Sequence, residues 1–180
     1  MIDSSSSSCE GKAFNKQLEF CKTVLKEAYI DAGYIRVGLL TYNDRSKIEF
    51  HLNKHSTKSD LFAAMDQLNC TSGLTNMADA LSAVRTAMFI PENGDRPDAS
   101  NIAVLITDGL SNVKDGRTIL EADLTRKENI QIYTIGIGVP FLKEMRNIAS
   151  KPLWRFLYDV SNVEELIQLG PHIYETICKR

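Results

Sequence analysis

"NIAVLITDG", residues 101–109, decides how the rest of the chain must fold. Ile102 to Ile106 are apolar without a break, so the period-two alternation of a half-exposed strand is missing. The run is too short for a buried helix. It is bounded by the loop-forming "PENGDRPDAS", residues 91–100, and by Thr107-Asp108-Gly109. It therefore reads as a central strand of a parallel sheet, covered on both faces. Parallel neighbours need crossover connections, usually helices, and the flanking sequence supplies them.

Downstream, a helical stretch around Gly116–Glu128 leads to a second buried run, "IQIYTIGIG", residues 130–138. Residues 140–150 suit a helix, "WRFLYDV" (154–160) a last strand, and Ser161-x-x-Glu164 a capping box before the final helix. Gly170-Pro171 interrupts that helix, yet Val163, Ile167, Gly170, Tyr174 and Ile177 stay in phase, which predicts a kink rather than a stop. Upstream, Phe14, Leu18, Cys21, Leu25 and Ala28 make one apolar stripe, predicting a helix over 12–30 that Gly33 ends. "YIRVGLLTY" (34–42) and "SKIEFHL" (46–52) read as strands joined through Asn43-Asp44-Arg45 as a hairpin. A short helix follows over 59–68. Thr75-Asn76 can cap another, whose stripe is Met77, Leu81, Val84 and Met88. This alternation predicts one α/β domain over 1–180: a doubly wound, mostly parallel central sheet with helices on both faces and right-handed crossovers.

The composition is that of an ordinary soluble domain, 43% apolar and 24% charged in 180 residues. A formal net charge of −2 gives no field to recruit nucleic acid or an anionic membrane. No apolar run approaches the roughly 20 residues of a spanning helix, so no membrane insertion is expected. Met1 leads straight into Ile2-Asp3 without the basic start and apolar stretch of a secretory signal, which reads as a mature fragment or excised domain. Cys9, Cys21, Cys70 and Cys178 include no Cys-x-x-Cys pair that would suggest a thiolate zinc site. Asn69-Cys70-Thr71 fits the acceptor pattern for N-glycosylation.

In a doubly wound sheet, ligands sit beyond the carboxyl ends of the strands where strand order reverses. Three stretches there carry oxygens: Asp3-Ser4-Ser5-Ser6-Ser7, "TSGLTN" (71–76) and Thr107-Asp108-Gly109. Asp3 and Asp108 offer carboxylates; Ser5, Ser7 and Thr75 offer hydroxyls. An all-oxygen set suits a hard cation, Mg²⁺, Mn²⁺ or Ca²⁺. Held mainly by neutral hydroxyls, such a cation stays electron-poor and can draw a carboxylate from another molecule. The bland alternatives are a disordered serine-rich terminus, a plain helix cap at Thr75 and a strand-end turn at Asp108.

These stretches, with "VGLLTYND", "AVLITDG" and "IYTIGIG" in order along nearly the whole chain, resemble the von Willebrand factor type A domain. That module also occurs as the inserted domain of integrins, in matrilins and in collagen VI. The resemblance implies its Rossmann-like fold and a metal-ion-dependent adhesion site. In that site Ser5, Ser7 and, in the ligand-ready state, Thr75 bind the metal, Mg²⁺ foremost. Asp3 and Asp108 act largely through bound waters. It further implies an extracellular module in which an acidic side chain of a matrix protein, such as a collagen, completes the shell. Only Met1 and Ile2 precede Asp3, where the family has about half a dozen apolar residues, so a first strand truncated at the N-terminus is expected, with a cost in stability. Many extracellular relatives carry cysteines flanking the domain. Cys178 is accordingly expected to lack a partner within it, while a bridge between Cys9 and Cys70, both near the metal loops, is conceivable.

Two other classes compete with adhesion. A metal-dependent hydrolase would need a general base, but His51, His55 and His172 lie away from the strand ends, and no nucleotide-binding glycine loop is present. An intracellular assembly module of the same fold is the other. The acceptor triplet and the four cysteines favour the extracellular one.

Overall fold

A computed structural model describes residues 1–113, 116–139 and 142–178. Strand β1 is Ile2–Asp3, followed by a single helical turn, α1 (Ser6–Cys9), and helix α2 (Ala13–Leu25). Strands β2 (Leu39–Tyr42) and β3 (Ser46–Phe50) come next, then α3 (Lys58–Asp66), α4 (Met77–Ala83) and β4 (Ile102–Thr107). The chain continues through α5 (Thr118–Lys127), β5 (Gln131–Ile137), α6 (Lys143–Ile148), α7 (Leu153–Phe156), β6 (Leu157–Val160) and α8 (Val163–Cys178).

The described strands form one six-stranded sheet in the order β3-β2-β1-β4-β5-β6. All pairs are parallel except the β2–β3 hairpin. The order reverses beside β1: the chain winds first toward β2 and later, from β4, the other way. "AVLIT" does lie at the centre, and its alternate residues feed opposite layers. Ile106 joins Ile2, Phe14 and Leu18 on one face, under α2 and α8. Ala103 and Leu105 join Met77, Leu81 and Ala122 on the other, under α4 and α5. This two-sided burial explains why the sequence there shows no alternation.

Several boundaries differ from the sequence expectation for physical reasons. Residues 34–38 are not strand. β1 reaches only Ile2–Asp3 and β3 pairs only as far as Leu39, so these residues have no ladder partner, whatever their β propensity. A cavity of ≈ 570 Å³ lies there, lined by Met1, Ile2, Val37, Leu39 and Val104 among others. In "WRFLYDV" only Leu157–Val160 pairs with β5, and Leu153–Phe156 forms a helical turn that leaves Trp154 80% exposed. Helix α2 ends at Leu25, although Ala28 and Ile30 beyond it remain buried in a turn. Of the helix expected over 140–150, Lys143–Ile148 is present; residues 140 and 141 lie outside the described residues.

The capping box sits one residue later than expected. Asn162 Oδ1 accepts from Glu165 N–H (3.0 Å), and Glu165 Oε2 accepts from Ser161 N–H (2.7 Å). Glu164 pairs with Lys16 on α2 instead. Helix α8 runs on through Pro171. Gly170 is required for another reason: a Cβ there would lie 2.8 Å from Thr23 Cγ2, so the glycine lets α8 approach α2 closely.

Candidate metal centre

The loop after β1 starts the site. Asp3 is fully buried; its Oδ1 accepts from Ser5 N–H (2.9 Å) and its Oδ2 from the Thr107 hydroxyl (2.7 Å). Thr107 Oγ1 in turn accepts from Gly109 N–H (3.2 Å), so the end of β4 is tied to the end of β1. The Ser5 and Ser7 hydroxyls lie 3.4 Å apart, and the Ser7 hydroxyl donates to Asp108 Oδ1 at 2.8 Å. Asp3, Ser5, Ser7 and Asp108 are thereby one hydrogen-bonded group at the switch point between β1 and β4.

The loop before α4 closes over them. Ser6 N–H donates to Gly73 O (3.0 Å), Ser6 Oγ meets Ser72 Oγ (2.8 Å) and Ser4 Oγ meets Thr71 Oγ1 (2.9 Å). A disulfide between Cys9 and Cys70 joins the same two loops covalently. From outside, the hairpin tip braces them: Asn43 Nδ2 donates to Thr71 Oγ1 (2.9 Å) and to Ser72 O (2.6 Å). Gly73 has φ +125°, and a Cβ there would fall 2.6 Å from Asp44 Oδ2, so both conformation and space demand glycine.

Thr75, 3% exposed, is not the helix cap. Asn76 is, its Oδ1 accepting from Asp79 N–H (3.1 Å). Thr75 is instead fixed by its backbone: its N–H donates to Asn112 Oδ1 (2.7 Å) and its C=O accepts from Asn112 N–H (3.1 Å). Its hydroxyl has no hydrogen-bond partner among the described residues. Asn69 is exposed, its amide donating to Gln67 O (3.3 Å). Cys21 is a free thiol, pushed up to about 11 by burial; the Cys178 side chain lies outside the described residues.

The electrostatics of the group are one-sided. Burial raises the Asp3 pKa; hydrogen bonds from Ser5 and Thr107 oppose this, and the neighbouring Asp108 carboxylate adds to it. The Tyr42 phenol, buried behind the site and donating to Ile106 O (2.9 Å), is held well above its ordinary pKa, chiefly by burial and then by Asp3. Among the described residues neither Asp3 nor Asp108 has a salt-bridge partner. Within the described residues, then, these two neighbouring carboxylates, one fully buried, have no ion pair to offset them. No group of three or more His, Cys, Asp or Glu side chains converges among the described residues. The four residues that hydrogen bonds bring together, Asp3, Ser5, Ser7 and Asp108, offer two carboxylates and two hydroxyls, a set that fits a hard divalent cation and not a thiolate or imidazole metal. Thr75 is tied through its backbone to Asn112, four residues beyond Asp108.

Thr107, Asn112, Ser111 and Glu144 did not stand out in the sequence. Thr107 lay within the quoted "TDG" and could have been recognised as a hydroxyl facing Asp3. The other three carry no local signal, because the bonds that tie Asn112 and Ser111 to Thr75, and Ser111 to Glu144, span more than 30 residues.

Comparison with known proteins follows from this geometry. The family model described as von Willebrand factor type A domain matches residues 1–171. The human collagen alpha-6(VI) chain is 28% identical over 180 residues, covering 99% of this chain and 8% of its own length. Mouse matrilin-3 is 28% identical over 180 residues, covering 98% of this chain and 37% of its own. Proximal thread matrix protein 1 from the mussel byssus superposes with a TM-score of 0.89 at 26% identity, covering 98% of this chain and 46% of that one. A second structure of that mussel protein is described as having a zinc-occupied MIDAS motif. The chain thus spans less than half of each of these relatives.

Proposed function

Since the chain belongs to the von Willebrand factor type A domain family, we propose that it is a single, non-catalytic protein-binding module whose adhesion depends on a divalent cation. Ser5, Ser7 and Thr75 would hold the cation directly, with Asp3 and Asp108 supplying charge close behind. Mg²⁺ is the first choice and Mn²⁺ or Ca²⁺ the alternatives. The observation that carries this reading is the neighbouring Asp3–Asp108 carboxylate pair, bonded to the serine loop and to Thr107 and without an ion-pair partner among the described residues. Bound there, the cation offers an electron-poor position for one further anionic oxygen. A glutamate or aspartate of a partner supplies that oxygen through a charge-assisted contact.

The chain's own residues do the rest. Ser5 and Ser7 present neutral hydroxyls, so in this reading the oxygens in direct contact with the cation carry no charge and its open position stays electrophilic toward an incoming carboxylate. Leu74 and Leu110, 50% and 37% exposed, each lie within two residues of a site residue and offer apolar surface beside it. Two of the three histidines are engaged in ring contacts: His55 packs edge-on against Phe50 and His172 against Tyr158.

The partner is an extracellular matrix protein such as a collagen, in keeping with the collagen and matrilin relatives. The Cys9–Cys70 bridge supports an oxidising, extracellular setting. Asn69 is the proposed N-glycan acceptor, and a mass loss on enzymatic deglycosylation of protein from its native source checks it. For the adhesive reading, recovery of matrix proteins on the immobilised chain should be lost in EDTA, return with Mg²⁺ or Mn²⁺, and fall at least about tenfold in Thr75→Ala. Equal recovery with and without EDTA would place the binding surface elsewhere.

A further inference from the structure

Thr75 is the proposed ligand whose placement owes least to its own loop. Both backbone polar groups of Thr75 are taken by a segment just beyond Asp108. Its N–H donates to Asn112 Oδ1 (2.7 Å), and its C=O accepts from Asn112 N–H (3.1 Å) and from the Ser111 hydroxyl (3.2 Å). That segment is anchored in turn. Ser111 N–H donates to Glu144 Oε2 in the first turn of α6 (2.9 Å), and Thr118 Oγ1 at the start of α5 donates to Ser111 Oγ (3.4 Å). On its other side Thr75 is followed by Asn76, whose N–H donates to Asn43 O (2.9 Å) and whose side chain caps α4.

We propose that Asn112 and Glu144 are positioning residues for the cation site: they fix Thr75 through its backbone and couple it to α6. This rests on the reading of Asp3, Ser5, Ser7, Thr75 and Asp108 as that site. With its N–H and C=O both held, Thr75 keeps only its side-chain torsion as local freedom, so its hydroxyl is presented along a defined direction. Asn112 follows Asp108 by four residues, so a displacement of Thr75 toward or away from a cation cannot occur without moving the segment that carries Asp108. Glu144 transmits the same displacement to α6, because its carboxylate holds the Ser111 N–H. The coupling is a chain of contacts between discrete groups, and its removal at either end should be felt at the other.

The experiment is Mg²⁺ titration calorimetry on the full chain and on Asn112→Ala, Glu144→Ala and Glu144→Gln, paired with melting of each in EDTA. Asn112→Ala and Glu144→Ala are expected to weaken Mg²⁺ by about tenfold, with the EDTA melting points close to that of the unsubstituted chain. Glu144→Gln keeps an acceptor for Ser111 N–H without the charge and should restore most of the lost affinity. Equal losses in Glu144→Gln and Glu144→Ala would mean that Glu144 acts by its charge alone, which overturns positioning. Lower melting with unchanged cation affinity would make both residues merely structural and also overturns it. If a variant fails to fold, hydrogen exchange on the unsubstituted chain decides. Mg²⁺ should protect the amides of Ser111 and Asn112 and of α6, and protection confined to the serine loop would overturn the coupling. Failure of the unsubstituted chain to bind Mg²⁺ would remove the site itself and this inference with it. Normal binding with unaffected variants would remove only the inference.

Discussion

Asp108→Ala is expected to weaken Mg²⁺ binding by about 100-fold or more while leaving the metal-free fold at least as stable as before. The first half follows from charge. A cation surrounded mainly by neutral hydroxyls relies on Asp3 and Asp108 for compensation, and removing one carboxylate halves it. Loss of outer groups in metal sites commonly costs 10–100-fold, and a lost charge belongs at or beyond the upper end. The second half follows from the metal-free electrostatics. Asp108 adds to the upward shift of the Asp3 pKa, so without a cation the two carboxylates repel each other. Removing Asp108 relieves that repulsion and, among the described residues, costs the Ser7–Asp108 hydrogen bond. Calorimetry with Mg²⁺ and melting in EDTA check both halves. A variant that binds Mg²⁺ like the unsubstituted chain would remove Asp108 from the site. One that binds poorly and also melts early without metal would make Asp108 a folding residue.

The second large effect concerns the bridge between the metal loops. Replacing both Cys9 and Cys70 by serine should lower stability by about 2–4 kcal/mol, since the bridge closes a long loop and restricts the unfolded chain. Its sequence separation is 61 residues. For a chain of this size the loss corresponds to a drop in melting temperature of roughly 10 °C. Cation affinity should fall as well. Without the bridge, the described residues join the serine loop to the loop bearing Thr75 by hydrogen bonds at Ser4 and Ser6 and by the Ser72 N–H at position 9, and the Ser6 contacts are exposed. Thermal melting of oxidised protein, of protein held in a reductant and of the double variant provides the test. Coincident melting curves would mean that the bridge stabilises nothing, and unchanged Mg²⁺ affinity would mean that the hydrogen bonds alone hold the loops.

The sheet was legible because burial on both faces erases alternation. "AVLIT" therefore announced a central strand and "IYTIGI" a second buried one, and the structure pairs them residue for residue from Ile102↔Gln131 to Thr107↔Gly136. The oxygen-bearing loops were legible because each is compact in sequence and each lies beside a carboxyl end of the central sheet. What escaped was non-local. Residues 34–38 have strand-forming side chains, but a strand exists only where a neighbour offers a ladder. Thr75 and Asn76 are equivalent cap candidates by composition, and only the geometry assigns the cap to Asn76 and leaves the Thr75 hydroxyl without a partner among the described residues. Ser161, read as the cap from Ser161-x-x-Glu164, gives way to Asn162 because α8 starts at Val163. Asn112 and Glu144 reach Thr75 across 37 residues and Ser111 across 33, distances over which local pattern carries no information. The Cys9–Cys70 pairing was one of several that four cysteines permit. It became definite only once the two loops were seen to meet.

The central claim is that Ser5, Ser7 and Thr75, backed by Asp3 and Asp108, hold a hard cation with oxygen donors alone. Pulsed electron paramagnetic resonance of Mn²⁺ added to the metal-free chain tests this most directly. The account predicts one bound Mn²⁺ per chain, with coupling to exchangeable hydroxyl and water protons and none to protein nitrogen, displaced by excess Mg²⁺ and lost in Asp108→Ala. Nitrogen hyperfine coupling from a histidine, or Mn²⁺ that stays bound in Asp108→Ala, would contradict it.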